Sequence, residues 1–307
     1  MKHFDRNRID SEIRPVAEAM AEQIGSTRRD TYEQLRELRF PVDLPPDIYS
    51  EQKTVTTDDG AIRVTVYRPQ SEQTQAAIFW MHGGGHIMGT EEDSLAPLLA
   101  SELNLAVCSV NYRLAPEYTY KESMEDCYAA LAWLFKNAAA MNIDKDRIAI
   151  AGASAGGGKC AGLALMNRDR DNHPLRLQAL LCPMLDNLHD TDSGNTEGHL
   201  MWDREASNIA WEMYLGGIPG PDASPYAAPA RAGDLSDLPP VHICIGSEDL
   251  FRDECIDYAK RLYLSNTPCE LAIFPGVTHG GDIFAPEAKV SKRYRNSYLQ
   301  SLRDALE

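Results

Sequence analysis

The stretch IAIAGASAGGGKCAGLAL, residues 148–165, combines an apolar run with five glycines and one serine. Its first half predicts a buried strand and its second half predicts a helix. Ser154 lies at the turn between them, within the sequence GASAG, and small residues two positions either side allow neighbouring elements to pack against so tight a bend. The pattern therefore predicts a serine hydroxyl that projects from the edge of a sheet, at the N-terminus of a helix.

The spacing of the glycines argues against a phosphate-binding role for this turn. A glycine-rich turn before a helix can also bind phosphate through its backbone N–H groups. The stretch has neither the G-x-G-x-x-G spacing of dinucleotide-binding turns nor the G-x-x-x-x-G-K-[ST] spacing of P-loops, although Lys159 follows closely. The motif G-x-S-x-G occurs by chance in about one chain of this length in ten. The assignment of Ser154 as a nucleophile therefore depends largely on the predicted strand before the motif and the predicted helix after it.

Short continuous apolar runs recur after about residue 75, and each is typical of a strand buried on both faces. Stretches with helical periodicity lie between these runs. The alternation predicts an α/β doubly wound core with a mostly parallel sheet. The runs are AAIFWMH (76–82), LAVCSVNY (105–112), RIAIAG (147–152), LQALLCP (177–183), VHICIG (241–246) and CELAIFP (269–275), and the predicted helices cover 92–103, 121–139, 155–168, 253–264 and 287–306.

Three regions do not follow this alternation. Residues 1–40 are polar with sparse apolar spacing, which predicts two or three short amphipathic helices, and the segment 51–69 predicts a hairpin around Asp58-Asp59-Gly60. The interval 183–238 has no buried strand but contains a helix-like segment, REASNIAWEMYLGG. We expect this interval and the N-terminal helices to form a lid over the core.

Charge and cysteine content narrow the partners and the compartment. The chain has 307 residues and a net charge of −16, and a surface this acidic repels nucleic acid and anionic membrane, so neither is an expected partner. Its seven cysteines form no C-x-x-C pair, and several lie inside apolar runs, which favours reduced thiols in a cytoplasmic protein. The charged N-terminus has no secretory h-region, and no apolar run reaches membrane-spanning length.

A serine nucleophile also needs hydrogen-bond donors for the oxyanion that forms during acyl transfer. The sequence His82-Gly83-Gly84-Gly85 follows a predicted strand, and its glycines leave backbone N–H groups unobstructed. Gly83, Gly84 and Ala155, the residue after the serine, are therefore the candidate donors, with a plain glycine loop as the alternative. His82 and His86 have the spacing of a helical metal pair, but three consecutive glycines disfavour a helix, so we predict no metal site.

The base and its acidic partner are predicted from their positions after strands. His279 follows the strand CELAIFP and Asp249 follows the strand VHICIG, and ligand sites in open α/β sheets collect at these carboxyl ends. Asp253 and Glu254 are expected to begin the next helix instead. The other histidines lie in the tail, in loops, in the lid or in an apolar strand: His3, His173, His189, His199 and His242.

Five motifs in this order resemble the hormone-sensitive-lipase-like branch of the α/β-hydrolase carboxylesterases. They are HGGG (82–85), NYRLAPE (111–117), GASAGG (152–157), EDLFRDE (248–254) and GVTHG (276–280). The resemblance covers the chain from about residue 50 to the C-terminus. Ala153, His86 and Lys159 depart from the residues usual in the family.

The resemblance implies a fold and a set of roles. The expected fold is that of the α/β-hydrolases, a mostly parallel central sheet flanked by helices, with residues 46–185 and 231–307 as the core. Residues 1–45 and 186–230 would form a helical cap over it. Ser154 would be the nucleophile, His279 the general base and Asp249 its partner. Gly83, Gly84 and Ala155 would form the oxyanion hole.

The expected reaction is hydrolysis of small-molecule carboxylic esters of short-to-medium acyl chains, without metal or cofactor. The candidate substrate contacts are His86, Met201, Trp202, Trp211 and Tyr214, although the cap aromatics could equally hold the cap together. Amide, lactone or carbohydrate-acetyl hydrolysis would use the same residues. A non-catalytic ligand receptor would require a missing triad member. The last helix and the strand CELAIF are candidate contacts of a homodimer.

Overall fold

The computed structural model describes residues 2–24, 27–37, 42–57, 59–71 and 73–307. In these residues eight strands form one sheet and two short strands form a separate parallel pair. The strands are β1 (Lys2–His3), β2 (Ile48–Thr57), β3 (Gly60–Pro69), β4 (Gln75–Met81), β5 (Ala106–Val110), β6 (Ile143–Ala153), β7 (Gln178–Leu181), β8 (Thr196–Glu197), β9 (Val241–Gly246) and β10 (Cys269–Phe274).

The large sheet has the strand order β10-β9-β7-β6-β4-β5-β3-β2. The six strands from β10 to β5 are parallel, and β3 and β2 continue the sheet in antiparallel pairing. The parallel strands place their carboxyl ends at one edge, where the chain turns into the loops after β4, β6, β9 and β10. The mostly parallel sheet confirms the fold class predicted from the sequence.

Most of the helices lie between strands in chain order, and the last two described helices follow the last strand. They are α1 (Arg14–Ile24), α2 (Tyr32–Glu37), α3 (Leu95–Leu103), α4 (Tyr120–Asn137), α5 (Ala155–Asp169), α6 (Arg204–Leu215), α7 (Arg252–Leu264), α8 (Gly281–Phe284) and α9 (Lys289–Leu306). Thr119 and Glu122 form a reciprocal capping box at the start of α4. Helix α6 begins after Asp203, whose carboxylate accepts the backbone N–H of Ala206 at 2.9 Å.

Separate apolar clusters cover the two faces of the sheet. On β4, Phe79 packs into the cluster that contains side chains of α4, α5 and α7, whereas Ile78 and Trp80 pack into the cluster with α3 and α9. All three side chains are fully buried. Because successive side chains of a strand point to opposite faces, a strand between two helix layers is apolar at every position, which explains the continuous apolar runs.

The structure differs from the sequence-based expectation at several boundaries. The helix predicted from residue 92 begins at Leu95, because the carboxylate of Asp93 accepts the N–H groups of Leu95 and Ala96 at 3.0 and 2.9 Å. Strands β2 and β3 form the predicted hairpin, with Asp58 outside the described residues. Helix α8 and the strand pair β1–β8 were not predicted, because they are too short to show periodicity. None of the described helices combines the length and apolar character that a bilayer crossing requires.

Candidate active site

Ser154 lies at the turn from β6 into α5 with a strained backbone. Its φ of 56° and ψ of −118° lie outside the regions that residues with a Cβ atom readily adopt. The N–H of Ser154 donates to the carbonyl of Leu181 at 2.8 Å, and the carbonyl of Ser154 accepts the N–H of Met184 at 3.0 Å. These bonds to the end of β7 and the loop beyond it hold the serine in the strained conformation.

The glycines around the serine leave room that a side chain would fill. A Cβ atom on Gly156 would lie 2.0 Å from the carbonyl oxygen of Met81, and one on Gly152 would lie 2.3 Å from the carbonyl oxygen of Gly156. Both obstacles are backbone atoms, which cannot rotate away. The turn therefore needs glycine at both positions for close packing of β4, β6 and α5, as the sequence motif predicted.

Three side chains from different loops form a continuous hydrogen-bond relay. The Nε2 atom of His279 lies 2.8 Å from the Oγ atom of Ser154, and its Nδ1 atom lies 2.8 Å from Oδ2 of Asp249. The side chain of Asp249 is fully buried, and its Oδ1 atom accepts the N–H of Phe251 at 2.9 Å. When Nδ1–H donates to the carboxylate, Nε2 is free to accept the serine proton.

The glycine loop after β4 runs beside the nucleophile. A Cβ atom on Gly83 would lie 3.2 Å from the carbonyl oxygen of Ala153 and 3.6 Å from the Cβ atom of Ser154. Gly84 has a φ of 112°, a conformation that L side chains rarely adopt. Ala155 is the first residue of α5, where the N–H has no intrahelical acceptor. The structure thus brings all three candidate oxyanion donors to the loops that meet at the serine.

A cavity of about 330 Å³ opens over Ser154 and His279. Its size lies at the lower end of the range for small-molecule sites. Met201 and Trp202, two of the predicted substrate contacts, line it, and the ring of Trp202 lies 6.4 Å from that of His279. Its other lining residues include Leu35, Met88, Asp93, Leu95, Cys182, Ile283 and Phe284.

His86, Trp211 and Tyr214 do not line this cavity, which corrects the expectation that they contact substrate. All three are fully buried and pack against one another: the ring of His86 lies 3.7 Å from that of Tyr214 and 5.3 Å from that of Trp211. Tyr214 also contacts a buried lysine, Lys159, whose Nζ atom donates to the Tyr214 hydroxyl at 3.0 Å. An aromatic residue in a cap has the same sequence signature whether it faces a cavity or such a cluster.

Some lining residues were not predicted as site residues. Leu35 comes from α2, and Ile283 and Phe284 come from the four-residue helix α8 directly after the loop of His279. The nearness of Ile283 and Phe284 to His279 in the chain was a signal that they could lie at the site. No pattern in the sequence distinguished Leu35 from an ordinary apolar position of a short amphipathic helix.

Burial changes the pKa values of Asp93 and His82, which are among the residues that line the cavity. Burial raises the pKa of Asp93 to about 6, although hydrogen bonds from Trp80 and the start of α3 oppose this shift. Burial lowers the pKa of His82 to about 4, so this imidazole is neutral near pH 7. The wall of the cavity therefore includes a neutral imidazole at His82, next to Gly83, Gly84 and Gly85, and a carboxyl group at Asp93.

One group of potential metal ligands overlaps the relay. The ligand atoms of Cys182, Asp249 and His279 lie within 4.8 Å of one another. Two of these atoms are already bonded to each other in the relay, and burial raises the pKa of the Cys182 thiol well above its usual value. A metal ion bound there would have to displace the hydrogen bond between His279 and Asp249.

Comparison with known proteins agrees with this geometry. A family profile described as the alpha/beta hydrolase fold matches residues 78–282. The chain is 34% identical over 285 residues to carboxylesterase NlhH of Mycobacterium tuberculosis, covering 89% of this chain and 88% of that protein. It is 30% identical over 244 residues to ethyl acetate hydrolase of Pseudomonas putida, covering 76% of each.

A solved structure, a bacterial heroin esterase, superposes on this chain with a TM-score of 0.87 at 34% identity, covering 98% of this chain and 99% of that one. The strand order, the serine turn and the matches in sequence and structure lead to one conclusion. The chain belongs to the α/β-hydrolase fold family, in the hormone-sensitive-lipase-like branch that its motifs predicted.

Proposed function

We propose that the chain hydrolyses carboxylic esters, with Ser154 as the nucleophile. The observation that carries this proposal is the unbroken relay from Asp249 through His279 to the hydroxyl at the strained turn. Relatives named carboxylesterase, arylesterase and ethyl acetate hydrolase support the same reaction class. The chain is a carboxylic ester hydrolase.

The proposed mechanism is acyl transfer through an acyl-enzyme. His279 accepts the proton of the Ser154 hydroxyl as its oxygen attacks the ester carbonyl, and Asp249 stabilises the resulting imidazolium. The N–H groups of Gly83, Gly84 and Ala155 bind the oxyanion of the tetrahedral intermediate. His279 then protonates the leaving alcohol. A water molecule, deprotonated by His279, attacks the acyl-enzyme, and the acid product leaves with Ser154 restored.

The cavity supports small esters of short-to-medium acyl chains as substrates. Its volume is about 330 Å³, and apolar side chains such as Met88 and Trp202 form much of its wall. Leu35 on α2 and the pair Met201 and Trp202 before α6 come from the two segments that the sequence assigned to a cap. We therefore propose that residues 1–45 and 186–230 form a cap that limits the length of the acyl chain.

Covalent labelling tests the proposed nucleophile. An organophosphate such as diethyl 4-nitrophenyl phosphate should phosphorylate Ser154 and abolish hydrolysis of 4-nitrophenyl butyrate, and mass spectrometry of peptides locates the modified residue. Ser154→Ala should remove both labelling and turnover, whereas the exposed control Ser71→Ala should retain both. Labelling at another residue with full turnover in Ser154→Ala would refute the proposal.

Rates with 4-nitrophenyl acetate, butyrate, octanoate and laurate test the proposed chain length. A maximum at the butyrate or octanoate agrees with the small cavity, and a maximum at the laurate contradicts it. Matched anilides, lactones and acetylated sugars on the same enzyme test the alternative substrates of the same triad.

Two further features stay predictions. All seven cysteines are free and buried, in keeping with the predicted cytoplasmic location. Strand β10 lies at one edge of the sheet with Ile273 partly exposed, so this edge and α9 stay the candidate contacts of a homodimer.

A further inference from the structure

A lysine is buried beneath the glycine loop that we assign to the oxyanion hole. Lys159 lies on α5, five residues after Ser154, and its side chain is only 1% exposed. Its Nζ atom donates to the hydroxyls of Ser123 at 2.7 Å and Tyr214 at 3.0 Å. Burial lowers the pKa of Lys159 to about 7, and the negative charge of the nearby Asp126 opposes this shift.

Burying this ammonium group lowers the stability of the fold. The charge of Asp126 offsets this in part, but its carboxylate forms hydrogen bonds with Arg113 at 2.9 and 2.8 Å. A buried cation without a bonded carboxylate is destabilising compared with an apolar side chain of similar volume. Stability alone therefore does not explain a lysine at this position.

The contacts of Lys159 lead to both ends of the glycine loop, residues 82–86. The ammonium lies 4.5 Å from the ring centre of Tyr112 and 4.1 Å from that of Tyr214. The ring of Tyr112 stacks on His82 at 4.1 Å, and the ring of Tyr214 stacks on His86 at 3.7 Å. Gly83, Gly84 and Gly85 lie between these two histidines, so one cation holds the tyrosines that support the loop at each end.

A hydrogen bond strengthens this support at the His82 end of the loop. The hydroxyl of Tyr112 donates to the backbone carbonyl of His82 at 2.6 Å. The second end depends more on stacking, because neither ring nitrogen of His86 has a hydrogen-bond partner among the described residues. The backbone carbonyl of His86 accepts the N–H of Ala115 at 3.0 Å, and its ring is held by packing against Tyr214 and Trp211. Lys159 in turn bonds the hydroxyl of Tyr214.

We propose that Lys159 is a positioning residue for the oxyanion hole: through Tyr112 and Tyr214 it fixes the glycine loop relative to Ser154. The inference rests on the proposed function, because it assigns the loop to an oxyanion. Lys159 touches no reacting atom and acts through the tyrosines and histidines. Its removal should weaken binding of the transition state while binding of the ground state changes little.

The variant Lys159→Met tests this role, because methionine has a similar length but neither charge nor donors. We expect kcat for 4-nitrophenyl butyrate to fall about tenfold, which is less than the roughly 10²-fold that a 1 Å misplacement of the reacting geometry can cost. KM should change less than about twofold, because the cavity walls do not include Lys159. The exposed lysine variant Lys145→Met is the matched control and should keep the wild-type kcat.

A pair of inhibitors separates positioning from a merely structural role. A butyl trifluoromethyl ketone forms an oxyanion with the serine, whereas the matched methyl ketone binds without a stable oxyanion. In Lys159→Met the inhibition constant of the trifluoromethyl ketone should rise by the factor by which kcat/KM falls, and that of the methyl ketone should not. The melting temperature should be unchanged or higher, because a buried charge is removed.

Three outcomes would overturn the proposal. The first is a folded Lys159→Met enzyme with unchanged kcat, and the second is an equal loss of affinity for both ketones. If Lys159→Met does not fold, Tyr214→Phe is the substitute, because it keeps the stacked ring but removes the hydroxyl that accepts a hydrogen bond from Lys159. The third outcome is an unchanged inhibition constant of the trifluoromethyl ketone in Tyr214→Phe. Failure of the proposed function would give a different result from failure of the Lys159 proposal, because Ser154→Ala would then keep wild-type turnover.

Discussion

Alongside the relay of Ser154, the described residues contain a second serine–histidine–acid arrangement that cannot perform catalysis. In the second, the Oγ atom of Ser207 lies 2.7 Å from Nε2 of His189, and Nδ1 of His189 lies 3.4 Å from Oε2 of Glu254. The corresponding distances in the relay of Ser154 are both 2.8 Å. A list of residue types would not separate the two.

Burial is the first difference between them. Ser207 and His189 are completely inaccessible and Glu254 is 2% exposed, so no substrate can reach this hydroxyl. Ser207 lies within the regular helix α6, whereas Ser154 lies at a strained turn beside a cavity and the glycine loop. The comparison shows that the turn, the cavity and the adjacent donors distinguish a nucleophile from a buried serine.

The acids also differ. Burial raises the pKa of Glu254 well above its usual value, and burial lowers the pKa of His189 to about 4. Burial thus disfavours the charged form of both groups, and the 3.4 Å approach between them forms no hydrogen bond. Asp249, in contrast, bonds its histidine at 2.8 Å and is held by the N–H of Phe251. Only Asp249 is placed to stabilise an imidazolium.

Replacing each serine gives the largest expected contrast. Ser154→Ala should lower kcat by about 10⁵-fold or more, since loss of a catalytic serine has effects of this size. Ser207→Ala should leave kcat within about twofold but destabilise the fold by about 1–3 kcal/mol, because His189 loses its buried partner. Steady-state kinetics and urea denaturation of both variants measure these effects. A collapse of kcat in a folded Ser207→Ala enzyme would contradict the comparison.

Replacing each acid by its amide sharpens the comparison. Asp249→Asn should lower kcat by about 10⁴-fold, because the amide favours the wrong tautomer of His279. Glu254→Gln should leave kcat within about twofold, since the hydrogen bonds that Glu254 accepts come from the backbone of Leu185 and Asp186 and not from the relay. The inhibition constant of the trifluoromethyl ketone provides an independent readout for both. Equal losses of kcat in the two amide variants would remove the distinction between the arrangements.

The strained turn can be tested by filling the space beside it. Gly156→Ala places a Cβ atom 2.0 Å from the carbonyl oxygen of Met81, so β4 and α5 must separate. We expect a loss of about 1–3 kcal/mol in the free energy of unfolding, typical of overpacking, together with reduced kcat. Gly233→Ala is the control, because nothing lies within 4 Å of its Cβ position. A wild-type unfolding curve for Gly156→Ala would show that the turn tolerates this bulk.

The sequence predicted the relay because its members follow strands whose ends must meet. Ser154, Asp249 and His279 each follow an apolar run, and parallel strands bring such ends to one edge. His189 was separated from His279 by the same reasoning, since it follows no strand directly. In these cases local pattern and sheet topology were sufficient.

The wall of the cavity and the lysine cluster could not be predicted in this way. Leu35 reaches the cavity through the packing of a six-residue helix, which no periodicity specifies. Tyr214 contacts Lys159 and Trp211 packs against His86 and Tyr214, so neither lines the cavity. Lysine is rarely buried, so no pattern predicted Lys159 there. These features depend on how helix α6 sits on α5, which is decided by packing between distant segments.

The smallest expected effect concerns the pH dependence of stability at Glu254. Because burial raises the folded-state pKa of this carboxyl above its ordinary value of 4.5, the folded state binds more protons than the unfolded state above about pH 4.5. Glu254 therefore lowers stability progressively as the pH rises from 4.5 towards its folded-state pKa. His189 has the opposite effect between about pH 4 and 6.5, because its folded-state pKa is lowered and stability rises with pH in that range.

Above about pH 6.5 the imidazole is neutral in both states, so only the carboxyl contributes to this slope. Glu254→Gln cannot ionise, and its amide oxygen can still accept the N–H groups of Leu185 and Asp186, which Glu254 accepts at 2.7 and 3.2 Å. We expect the melting temperature of Glu254→Gln to rise relative to that of the wild type as the pH increases above about 4.5, because His189 titrates in both proteins and only the wild type must ionise a buried carboxyl. The curve of the exposed control Glu102→Gln should stay parallel to that of the wild type. Parallel curves for Glu254→Gln would mean that Glu254 is ionised in the folded protein, and the buried arrangement would then resemble the catalytic one in its charge.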